Sequence, residues 1–502
     1  MKFSELLEGL GVQPCGGNPE ISGLDYDSRR IQPGWLFLAM RGETSDGNRY
    51  IDAAIRKGAV AIVSDSTGEA QREGVAWAVV PHGRKALARL AANFFNHPAG
   101  RLKITGITGT NGKTTTTFLT EAILKFSGKP SALIGTIEYH VAGKVLPAPH
   151  TTPESLELNQ IFVEAVAAGA TDAVMEVSSH ALEQGRVWGI AYDVAVFTNL
   201  TRDHLDYHTD MRSYFAAKSM LFQGSGAPPP RAAVINADDP YGQVLLKASH
   251  GTSEQVISYG IEKGDFRATD IDLQPRGTCF HLMTPAGSIP LRSQLIGRIN
   301  IYNLLAASAA SWVRGCSLQQ IAAAVAGFSQ VPGRFERVDC GQPFTVVVDY
   351  AHTDDALRNL TAIARDFIAR SGQGARVITV FGCGGDRDRT KRPLMGEAAG
   401  KGSDFVVVTS DNPRSEDPLK IIEDILPGLK KSGLRKYSVE PDRQKAIALA
   451  LAEARPGDMV LVAGKGHEKT QTTREGVFPF DDVQVVRQQL QQMESVAQRG
   501  RE

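Results

Sequence analysis

One segment of the sequence has the residue types of a phosphate-binding loop. It runs GTNGKTT from Gly109 to Thr115 and follows the apolar, β-branched stretch 103–108. Glycines let backbone N–H groups approach an anion, and the start of a following helix adds a partial positive charge. In such a loop Lys113 reaches the terminal phosphates and the Thr114 hydroxyl is placed for Mg²⁺. The pattern therefore predicts ATP and magnesium binding.

The predicted loop lies between a predicted strand and a predicted helix, as phosphate binding requires. Its residues are Gly109, Thr110, Asn111, Gly112, Lys113, Thr114 and Thr115. The strict motif has glycine where this chain has Ile107, so the spacing is a variant. The i, i+3, i+4, i+7 period predicts that the following helix buries Leu119, Ala122, Ile123 and Phe126. A glycine-rich structural turn with an exposed lysine is the alternative, and ATP binding alone leaves many reaction types open.

A carboxylate and a histidine could form a cation site near this loop. Glu176 lies in the apolar run 173–177, and His204 follows the run 194–199. Because the carboxyl ends of parallel strands meet at one edge of a sheet, the two side chains could converge on one hard cation. Taken singly, Glu176 is a capping or salt-bridging carboxylate and His204 a satisfied loop histidine. Lys218 lies among apolar residues, where a lysine usually covers them with its stem.

The segment after the apolar run 405–409 has the residue types of an amino-acid pocket. Asp411 and Asn412 could hold amino-acid head groups, while the Arg414 guanidinium could form two parallel hydrogen bonds to a carboxylate. The alternative is a solvated Asn-Pro turn. The sequence suggests no Ser-His-Asp or Cys-His arrangement for nucleophilic catalysis.

Apolar, β-branched runs alternate with helical patterns along the chain, which predicts an α/β fold with largely parallel sheets. The predicted strands cover 35–39, 59–63, 75–80, 103–108, 173–177, 194–199, 232–236, 345–349, 377–381, 405–409 and 459–463. Breaks near 96–100 and 331–333 predict three domains, 1–98, 99–330 and 331–502. The polar clusters nearly all follow strands, on the side where a doubly wound sheet binds its ligands.

The composition describes an ordinary globular protein. Its 502 residues exceed one hydrophobic core and suit about three domains. Lys+Arg and Asp+Glu both number 55, so net charge gives no reason to expect a nucleic-acid partner. The five cysteines have no metal-site spacing and fit a reducing compartment. We find no signal peptide and no apolar run of membrane length, so we expect a cytoplasmic protein without membrane insertion.

Ten ordered motifs give the chain a resemblance to the Mur ligase family, the ATP-dependent amino-acid ligases of peptidoglycan synthesis. The motifs are GTNGKTT, TTPE, EVSSHAL, TNLTRDHLDYH, NIYN, PGRFE, DYAHTDDAL, GGDRDRTKRP, DNPR and GKGHE. The resemblance implies an N-terminal α/β domain for the UDP end of a substrate and a central phosphate-loop ATPase domain with a mostly parallel sheet. It also implies a C-terminal Rossmann-like domain for the incoming amino acid, and a role in cell wall biogenesis, cell shape and cell division.

The resemblance implies that the chain joins UDP-N-acetylmuramoyl-L-alanyl-D-glutamate to meso-diaminopimelate. Transfer of the γ-phosphoryl group of ATP to a carboxylate makes an acyl phosphate, which the incoming amine attacks. The family pattern makes Lys113 a catalytic residue and gives Mg²⁺ the ligands Thr114, Glu176, His204 and Lys218. Lys218 matches a lysine that the family carries as a carbamate, which requires CO2 and supplies oxygen ligands. We expect a monomer.

The remaining site residues are implied in the same way. The nucleotide's base, ribose and phosphates match Asn300, Arg334 and Asp349, although Ile299 replaces the family's usual aromatic residue beside the adenine. The UDP-muramyl-dipeptide matches Tyr26, Ser28, Glu43, Thr44, Ser45, Thr151, Thr152, Ser178, Gln184 and Arg186. Diaminopimelate matches Arg387, Asp411, Asn412, Pro413, Arg414, Gly464 and Glu468.

Several alternatives stay open at this point. The same reaction with L-lysine would leave Arg414 desolvated without its anion, a cost of about 2–5 kcal/mol by analogy with truncated charge pairs. A folylpolyglutamate-synthetase-like ligase is disfavoured by DNPR and by the extra N-terminal domain. A nucleotide kinase or NTPase switch has no use for DNPR and GKGHE. A non-catalytic protein of the same fold would have altered Lys113 or Glu176, and both are intact.

Overall fold

In the part of the chain that the structure describes, mostly parallel strands joined by helices form three main sheets beside one two-stranded hairpin, which confirms the predicted α/β fold class. The structure is a computed structural model, and it describes residues 1–42, 45–68, 72–205, 207–274, 277–371 and 374–499. One sheet falls within each of the three predicted domains, while the exact boundaries at 98/99 and 330/331 stay a prediction. Over the described ranges, no helix has the length and apolarity to cross a membrane.

The N-terminal sheet is small and entirely parallel. Its strands, in spatial order, are β1 (Gly23–Asp25), β2 (Trp35–Ala39), β3 (Ala61–Ser64) and β4 (Ala76–Val79). Its helices are α1 (Phe3–Leu6), α2 (Ile51–Arg56) and α3 (Gly83–Phe94), with a 3-10 turn at Gly47–Tyr50. Leu36 and Leu38 of β2 pack with Leu87 and Leu90 of α3, so this helix covers one face of the sheet.

The central sheet has eleven strands and carries the phosphate loop. Its strands are β5 (Lys103–Thr108), β6 (Ser131–Ile134), β7 (Glu138–Val141), β8 (Lys144–Pro147), β9 (Asp172–Glu176), β10 (Val194–Phe197), β11 (Ala232–Asn236), β12 (Gln255–Gly260), β13 (Phe266–Gln274), β14 (Gly277–Thr284) and β15 (Gly287–Ser293). The spatial order is β15-β14-β13-β12-β11-β10-β5-β9-β6-β7-β8. The strands from β12 to β6 pair in parallel, and both edges end in antiparallel strands.

Seven helices cover the central sheet, after a 3-10 turn at Pro98–Arg101. They are α4 (Lys113–Phe126), α5 (Ser155–Ala167), α6 (Ser179–Gln184), α7 (Met211–Gln223), α8 (Pro240–Ser249), α9 (Arg298–Val313) and α10 (Leu318–Gly327). Helix α4, which follows the phosphate loop, packs against the sheet and beside α9, which contacts the same sheet. The sheet and a second helix therefore fix the helix that carries the loop.

The C-terminal sheet has the order β16-β17-β21-β18-β19-β20, and all its pairs except β16–β17 are parallel. The strands are β16 (Glu336–Val338), β17 (Thr345–Asp349), β18 (Val377–Phe381), β19 (Phe405–Val408), β20 (Tyr437–Val439) and β21 (Met459–Ala463), followed by a hairpin of β22 (Thr470–Thr473) and β23 (Gly476–Pro479). The helices are α11 (Asp354–Ser371), α12 (Lys391–Gly402), α13 (Pro418–Lys431), α14 (Arg443–Glu453) and α15 (Asp482–Arg499). Burial on both faces explains the valine-rich runs of its central strands.

The structure explains the variant spacing at Ile107 and corrects the prediction for Phe126. Ile107 lies inside β5, fully buried, and pairs in register with Glu176 on one side and Val196 on the other. It belongs to the strand, so the variant spacing leaves the loop itself intact. The prediction for Phe126 is wrong, because this residue is 58% exposed at the last turn of α4, whereas Leu124 is buried. Packing against the sheet and α9 widens the buried face of α4, but neither partner covers its last turn.

Arg314, directly after α9, ties this helix to the central sheet through two buried carboxylates. Its guanidinium donates to Asp172 Oδ1 at 2.7 Å and to Asp193 Oδ2 at 2.8 Å, and these carboxylates stand at the starts of β9 and β10. The side chains of Arg314, Asp172 and Asp193 are 11%, 2% and 7% exposed. A buried charge that loses its partner is costly, so the arginine stabilises the sheet on which the loop stands.

We predict that Arg314→Met lowers the free energy of unfolding by about 3 kcal/mol, because Asp172 stays buried without its cation. Arg298→Met, at the other end of α9, removes a pair with Glu262 whose side chains are 57% and 68% exposed, and should cost at most about 1 kcal/mol. Urea unfolding followed by circular dichroism measures both. Equal losses in the two variants would contradict the buried role of Arg314.

Candidate active site

The carboxyl ends of the central and C-terminal sheets face one cavity of about 650 Å³. The phosphate loop lies on one side and the segment 411–414 on the other. Hydrogen bonds between the two domains include Arg334 to Thr114 at 3.1 Å, Asn111 to Asp355 at 2.9 Å and Arg202 to Thr390 at 2.7 Å. Two of these contacts involve residues of the phosphate loop itself.

The phosphate loop closes around the ammonium group of Lys113. Gly109 has a φ of +147°, and a Cβ there would collide with Thr198 Oγ1, so only glycine fits. Lys113 Nζ donates to the carbonyl oxygens of Gly109 and Thr110, both at 2.9 Å. Burial lowers the pKa of Lys113 below its usual range, against the opposing charge of Glu176. A phosphate entering the loop would therefore meet a cation already held in place.

Glu176 forms the best-ordered part of the predicted metal site. Its carboxylate is fully buried and accepts hydrogen bonds from Thr114 Oγ1 at 3.2 Å and from the Thr136 hydroxyl at 2.9 Å. The Thr136 backbone N–H donates at 2.8 Å. Carboxylate and hydroxyl oxygens are the donors that Mg²⁺ prefers. Thr136 was missed in the sequence, although it follows β6 at the same sheet edge, which is the signal that could have found it.

His204 lines the same cavity, with a left-handed backbone φ of +54°. Its Nε2 lies 3.4 Å from Asp203 Oδ2. Desolvation lowers the pKa of the imidazole in spite of the Asp203 charge, and a neutral imidazole is the form that can ligate a metal. Across the described ranges, no group of three His, Cys, Asp or Glu residues gathers around one point.

Lys218 lies behind the loop, outside the lining of the cavity. Its ammonium donates to Gly109 O at 2.8 Å and stands 4.5 Å from the centre of the Tyr214 ring. The side chain is buried, and burial together with the charge of Lys113 lowers the pKa of Lys218 well below its usual range. Of the four predicted metal ligands, Thr114 and Glu176 are in contact, His204 shares their cavity, and the lysine nitrogen faces the loop backbone.

The predicted nucleotide residues line the cavity, except Gly109, whose carbonyl oxygen instead accepts from Lys113. The guanidinium of Arg334 lies 4.5 Å from the centre of the Tyr350 ring and donates to Thr114 Oγ1. Asp349 accepts backbone N–H groups of the residues 335 and 351 at 2.7 and 2.8 Å, and burial raises its pKa. Asn300 accepts from the Asn303 side chain at 2.9 Å, so the two asparagines of the NIYN motif hold each other.

The residues predicted to contact the dipeptide form a hydrogen-bonded wall beside Glu176. Thr152 Oγ1 donates to the Glu176 carbonyl oxygen at 2.9 Å, and Arg186 donates to Gln184 Oε1 at 2.9 Å and to the Thr152 carbonyl oxygen at 3.1 Å. Glu154, absent from the sequence prediction, lies 3.2 Å from Arg186. The wall consists of Thr151, Thr152, Ser178, Gln184 and Arg186.

The predicted uridine contacts that the structure describes lie away from this cavity. Tyr26, Ser28 and Ser45 are in the N-terminal domain and do not line it. The Tyr26 hydroxyl donates to Glu157 Oε1 at 2.9 Å and so joins the N-terminal domain to α5. Glu43 and Thr44 lie outside the described residues.

The amino-acid side of the cavity contains an unpaired carboxylate oxygen. Asp411 is 8% exposed, and its Oδ2 is buried without a hydrogen-bond partner among the described residues. Gly464 has a φ of +115°, and a Cβ there would come within 2.6 Å of this oxygen, so glycine leaves it room. A buried acceptor of this kind is costly unless it is satisfied, and an ammonium group would satisfy it.

Cationic and amide groups complete this side. Arg414 has a φ of +51° and donates to the carbonyl oxygen of residue 385 at 2.7 Å. Asn412 Nδ2 donates to Glu468 Oε2 at 2.7 Å, and Arg387 also lines the cavity. Pro413 does not line it. An unpaired carboxylate oxygen near two guanidinium groups suits a zwitterionic amino-acid head group.

A phosphate loop and an amino-acid pocket that face one cavity from two domains define an ATP-dependent, amide-bond-forming ligase. Three family models match successive parts of the chain: "Mur ligase family, catalytic domain" at 20–95, "Mur ligase middle domain" at 107–311 and "Mur ligase, glutamate ligase domain" at 333–466. The chain belongs to the Mur ligase family.

Relatives of known name cover almost the whole chain. A UDP-N-acetylmuramoyl-L-alanyl-D-glutamate–2,6-diaminopimelate ligase of Solibacter usitatus is 53% identical over 98% of this chain and 98% of the relative. A protein of the same name from Geobacter metallireducens is 46% identical over 99% and 100%. A solved structure of a ligase with this name is 34% identical, with a TM-score of 0.66 over 94% of this chain and 95% of that one.

We predict that Lys113→Ala lowers both ADP release and product formation by more than about 100-fold, because it removes a preorganised charge at the phosphates. Lys125→Ala, on the same helix but with a side chain 48% exposed, is the matched control and should retain activity. A coupled ADP assay and product chromatography measure both. Full activity of Lys113→Ala would refute the assignment of the loop.

Proposed function

We propose that this protein uses ATP to join the γ-carboxylate of D-glutamate in UDP-N-acetylmuramoyl-L-alanyl-D-glutamate to an amine of meso-diaminopimelate, in peptidoglycan synthesis. One observation carries the proposal: Arg414 and Asp411, whose buried Oδ2 has no hydrogen-bond partner among the described residues, line the same cavity as the phosphate loop. The names of relatives that match 98% or more of the chain support the same reaction.

The chemistry follows from the two sides of the cavity. A carboxylate is a poor acyl donor, so its oxygen first attacks the γ-phosphorus of ATP, and ADP leaves. The amine then attacks the acyl carbon of the acyl phosphate, the amide bond forms, and inorganic phosphate and a proton leave. Lys113 and Arg334 neutralise charge on the phosphates, and positioning supplies most of the remaining rate enhancement.

Magnesium fits the oxygen-rich side of the cavity. Thr114 and Glu176 would supply hydroxyl and carboxylate oxygens, and His204 a neutral imidazole nitrogen. When bound, the ion supplies positive charge to the phosphates. Lys218 would join this shell only after its neutral amine forms an N–C bond with CO2 and releases a proton, which gives a carbamate anion with two oxygen donors. Burial favours the neutral amine that this addition needs.

The docked arrangement of the domains suits the reaction. Asn111 of the phosphate loop donates to Asp355 of α11, and Arg202 donates to Thr390 just before α12. These contacts hold the amino-acid pocket opposite the loop, and closure of this kind keeps water from the acyl phosphate. We also propose that the enzyme is a cytoplasmic monomer, as expected from the sequence.

Diaminopimelate fits the pocket better than L-lysine does. Its distal centre carries an ammonium and a carboxylate, which match Asp411 and Arg414, whereas the distal end of lysine carries an ammonium alone. A bound lysine would leave the guanidinium without an anion.

ATP turnover with the UDP-muramyl-dipeptide tests the function directly: we expect ADP release with meso-diaminopimelate and little with L-lysine.

Arg414→Ala should lower kcat/KM for diaminopimelate by about 30-fold or more, with KM for ATP changed less than about twofold. Arg474→Ala, a nearby arginine outside the cavity lining, is the control. Equal losses for diaminopimelate and ATP would count against the pocket, and efficient use of lysine by the unmodified enzyme would count against the proposed substrate.

We predict that activity depends on CO2 through Lys218. Enzyme depleted of CO2 should lose activity and regain it with bicarbonate, whereas Lys218→Ala should stay inactive under both conditions. Lys247→Ala, an exposed lysine of α8, should respond as the unmodified enzyme does. Substantial activity of Lys218→Ala, or no carbamate by mass measurement of the intact enzyme, would remove the carbamate from the mechanism.

A further inference from the structure

Lys465 lies directly behind the amino-acid pocket and has no role in the reaction described above. Its side chain is fully buried, and it does not line the cavity. Its ammonium donates to Asn412 Oδ1 at 3.0 Å and to Glu468 Oε2 at 3.0 Å. A buried lysine is costly unless its charge is paired, so this position serves the two groups that it contacts.

The lysine fixes the orientation of the Asn412 amide. Lys465 Nζ and the backbone N–H of Thr472, both donors, point at Oδ1, and the second distance is 2.9 Å. The Nδ2 group must then face Glu468 Oε2, which it reaches at 2.7 Å. Because donors can face only acceptors, the reversed amide would bring two donors against Nδ2 and an acceptor against Oδ1. The network therefore permits one orientation.

The same lysine also changes the charge that the pocket presents. Glu468 accepts from Lys465 and Asn412 through its Oε2, and its side chain lines the cavity. With Lys465 present, the Glu468 carboxylate is paired inside the protein, whereas Asp411 forms no ion pair among the described residues. Without Lys465, both carboxylates would face the ligand, and a bare ammonium would be favoured over a zwitterionic head group.

A second buried ion pair keeps this geometry from shifting. Arg443 donates to both oxygens of Asp482, at 2.8 and 2.7 Å, and all of these groups are fully buried. Arg443 also donates to the carbonyl oxygen of Ala463 at 3.0 Å. Ala463 is the last residue of β21, two positions before Lys465, so the backbone that carries the lysine is fixed at the end of the strand.

We propose that Lys465 is a positioning residue that sets amino-acid specificity: it orients Asn412 and pairs the charge of Glu468, so that the pocket prefers a zwitterionic distal group to a lone ammonium. The inference rests on the proposed function and names a further residue of the same pocket. Loss of Lys465 should then change the choice between diaminopimelate and L-lysine, and not only the overall rate.

A competition assay tests this inference. The enzyme receives ATP, the UDP-muramyl-dipeptide and a mixture of meso-diaminopimelate with excess L-lysine, and mass spectrometry measures both products. For Lys465→Met we expect the ratio of lysyl to diaminopimelyl product to rise about tenfold or more, the effect of 1.4 kcal/mol in a ratio of rates. The KM for ATP should change less than about twofold, which shows that the fold and nucleotide site are intact.

Lys465→Gln provides a second variant that keeps hydrogen-bond donors but loses the charge, and it should shift the product ratio in the same direction. Lys469→Met, a control whose side chain is 61% exposed, should leave the ratio unchanged. An unchanged product ratio in both Lys465 variants, or equal losses for the two amino acids, would overturn the inference. Failure of the unmodified enzyme to use diaminopimelate would instead refute the proposed function, so the two failures are distinguishable.

Discussion

The molecule depends on one constraint: the carboxyl ends of two separate parallel sheets must face the same cavity. In each sheet, polar loops lie at the carboxyl ends of the strands, because parallel pairing places those ends on one side. The phosphate loop and Glu176 lie at this side of the central sheet, and Asp349, Asp411 and Gly464 lie at this side of the C-terminal sheet. A hydrogen bond from Arg334 to Thr114 connects the two groups of residues, since its donor and acceptor belong to different domains.

The two sides of the cavity differ in the charged groups that they present to a ligand. On the phosphate side, the ammonium groups of Lys113 and Lys218 both donate to Gly109 O, and desolvation together with mutual repulsion lowers the pKa of Lys218. Lys113 therefore offers its positive charge to a polyanion, while the lowered pKa of Lys218 favours the neutral amine that carbamylation needs. On the amino-acid side, carboxylates and cations both line the cavity, and Asp411 Oδ2 has no hydrogen-bond partner among the described residues. That side suits a ligand whose charges cancel, and it would gain little from a simple anion.

Much of the fold was predictable, because buried parallel strands are continuous apolar runs. The predicted strand bounds 103–108, 232–236, 345–349, 377–381 and 459–463 match the structure. The error at Phe126 has a tertiary cause, since helical periodicity does not show where the cover over a helix ends. Of the site, strand-end position and family motifs predicted many of the side chains that line the cavity, but Lys218, Tyr26 and Pro413 lie outside its lining.

The roles of two residues escaped sequence reasoning. Thr136 lines the cavity just after β6, and Lys465 lies within the GKGHE motif, but their roles appear through their partners, Glu176 in one case and Asn412 with Glu468 in the other. The roles assigned from the resemblance to the metal ligands and uridine contacts stay predictions, and Glu43 and Thr44 lie outside the described residues. Sequence patterns indicate the side chains that reach a ligand more readily than they indicate the residues that hold those side chains in place.

The division of the site between domains has a consequence for how the substrates act on each other. Arg334 and Asp355 are part of the C-terminal domain, yet their hydrogen bonds end on Thr114 and Asn111 of the phosphate loop. A nucleotide that orders this loop also strengthens the contacts that hold the amino-acid pocket in place. Because coupling between two binding equilibria is reciprocal, an amino acid that favours the docked arrangement must favour nucleotide binding by the same factor. The shared cavity thus makes each half of the ligase depend on the other.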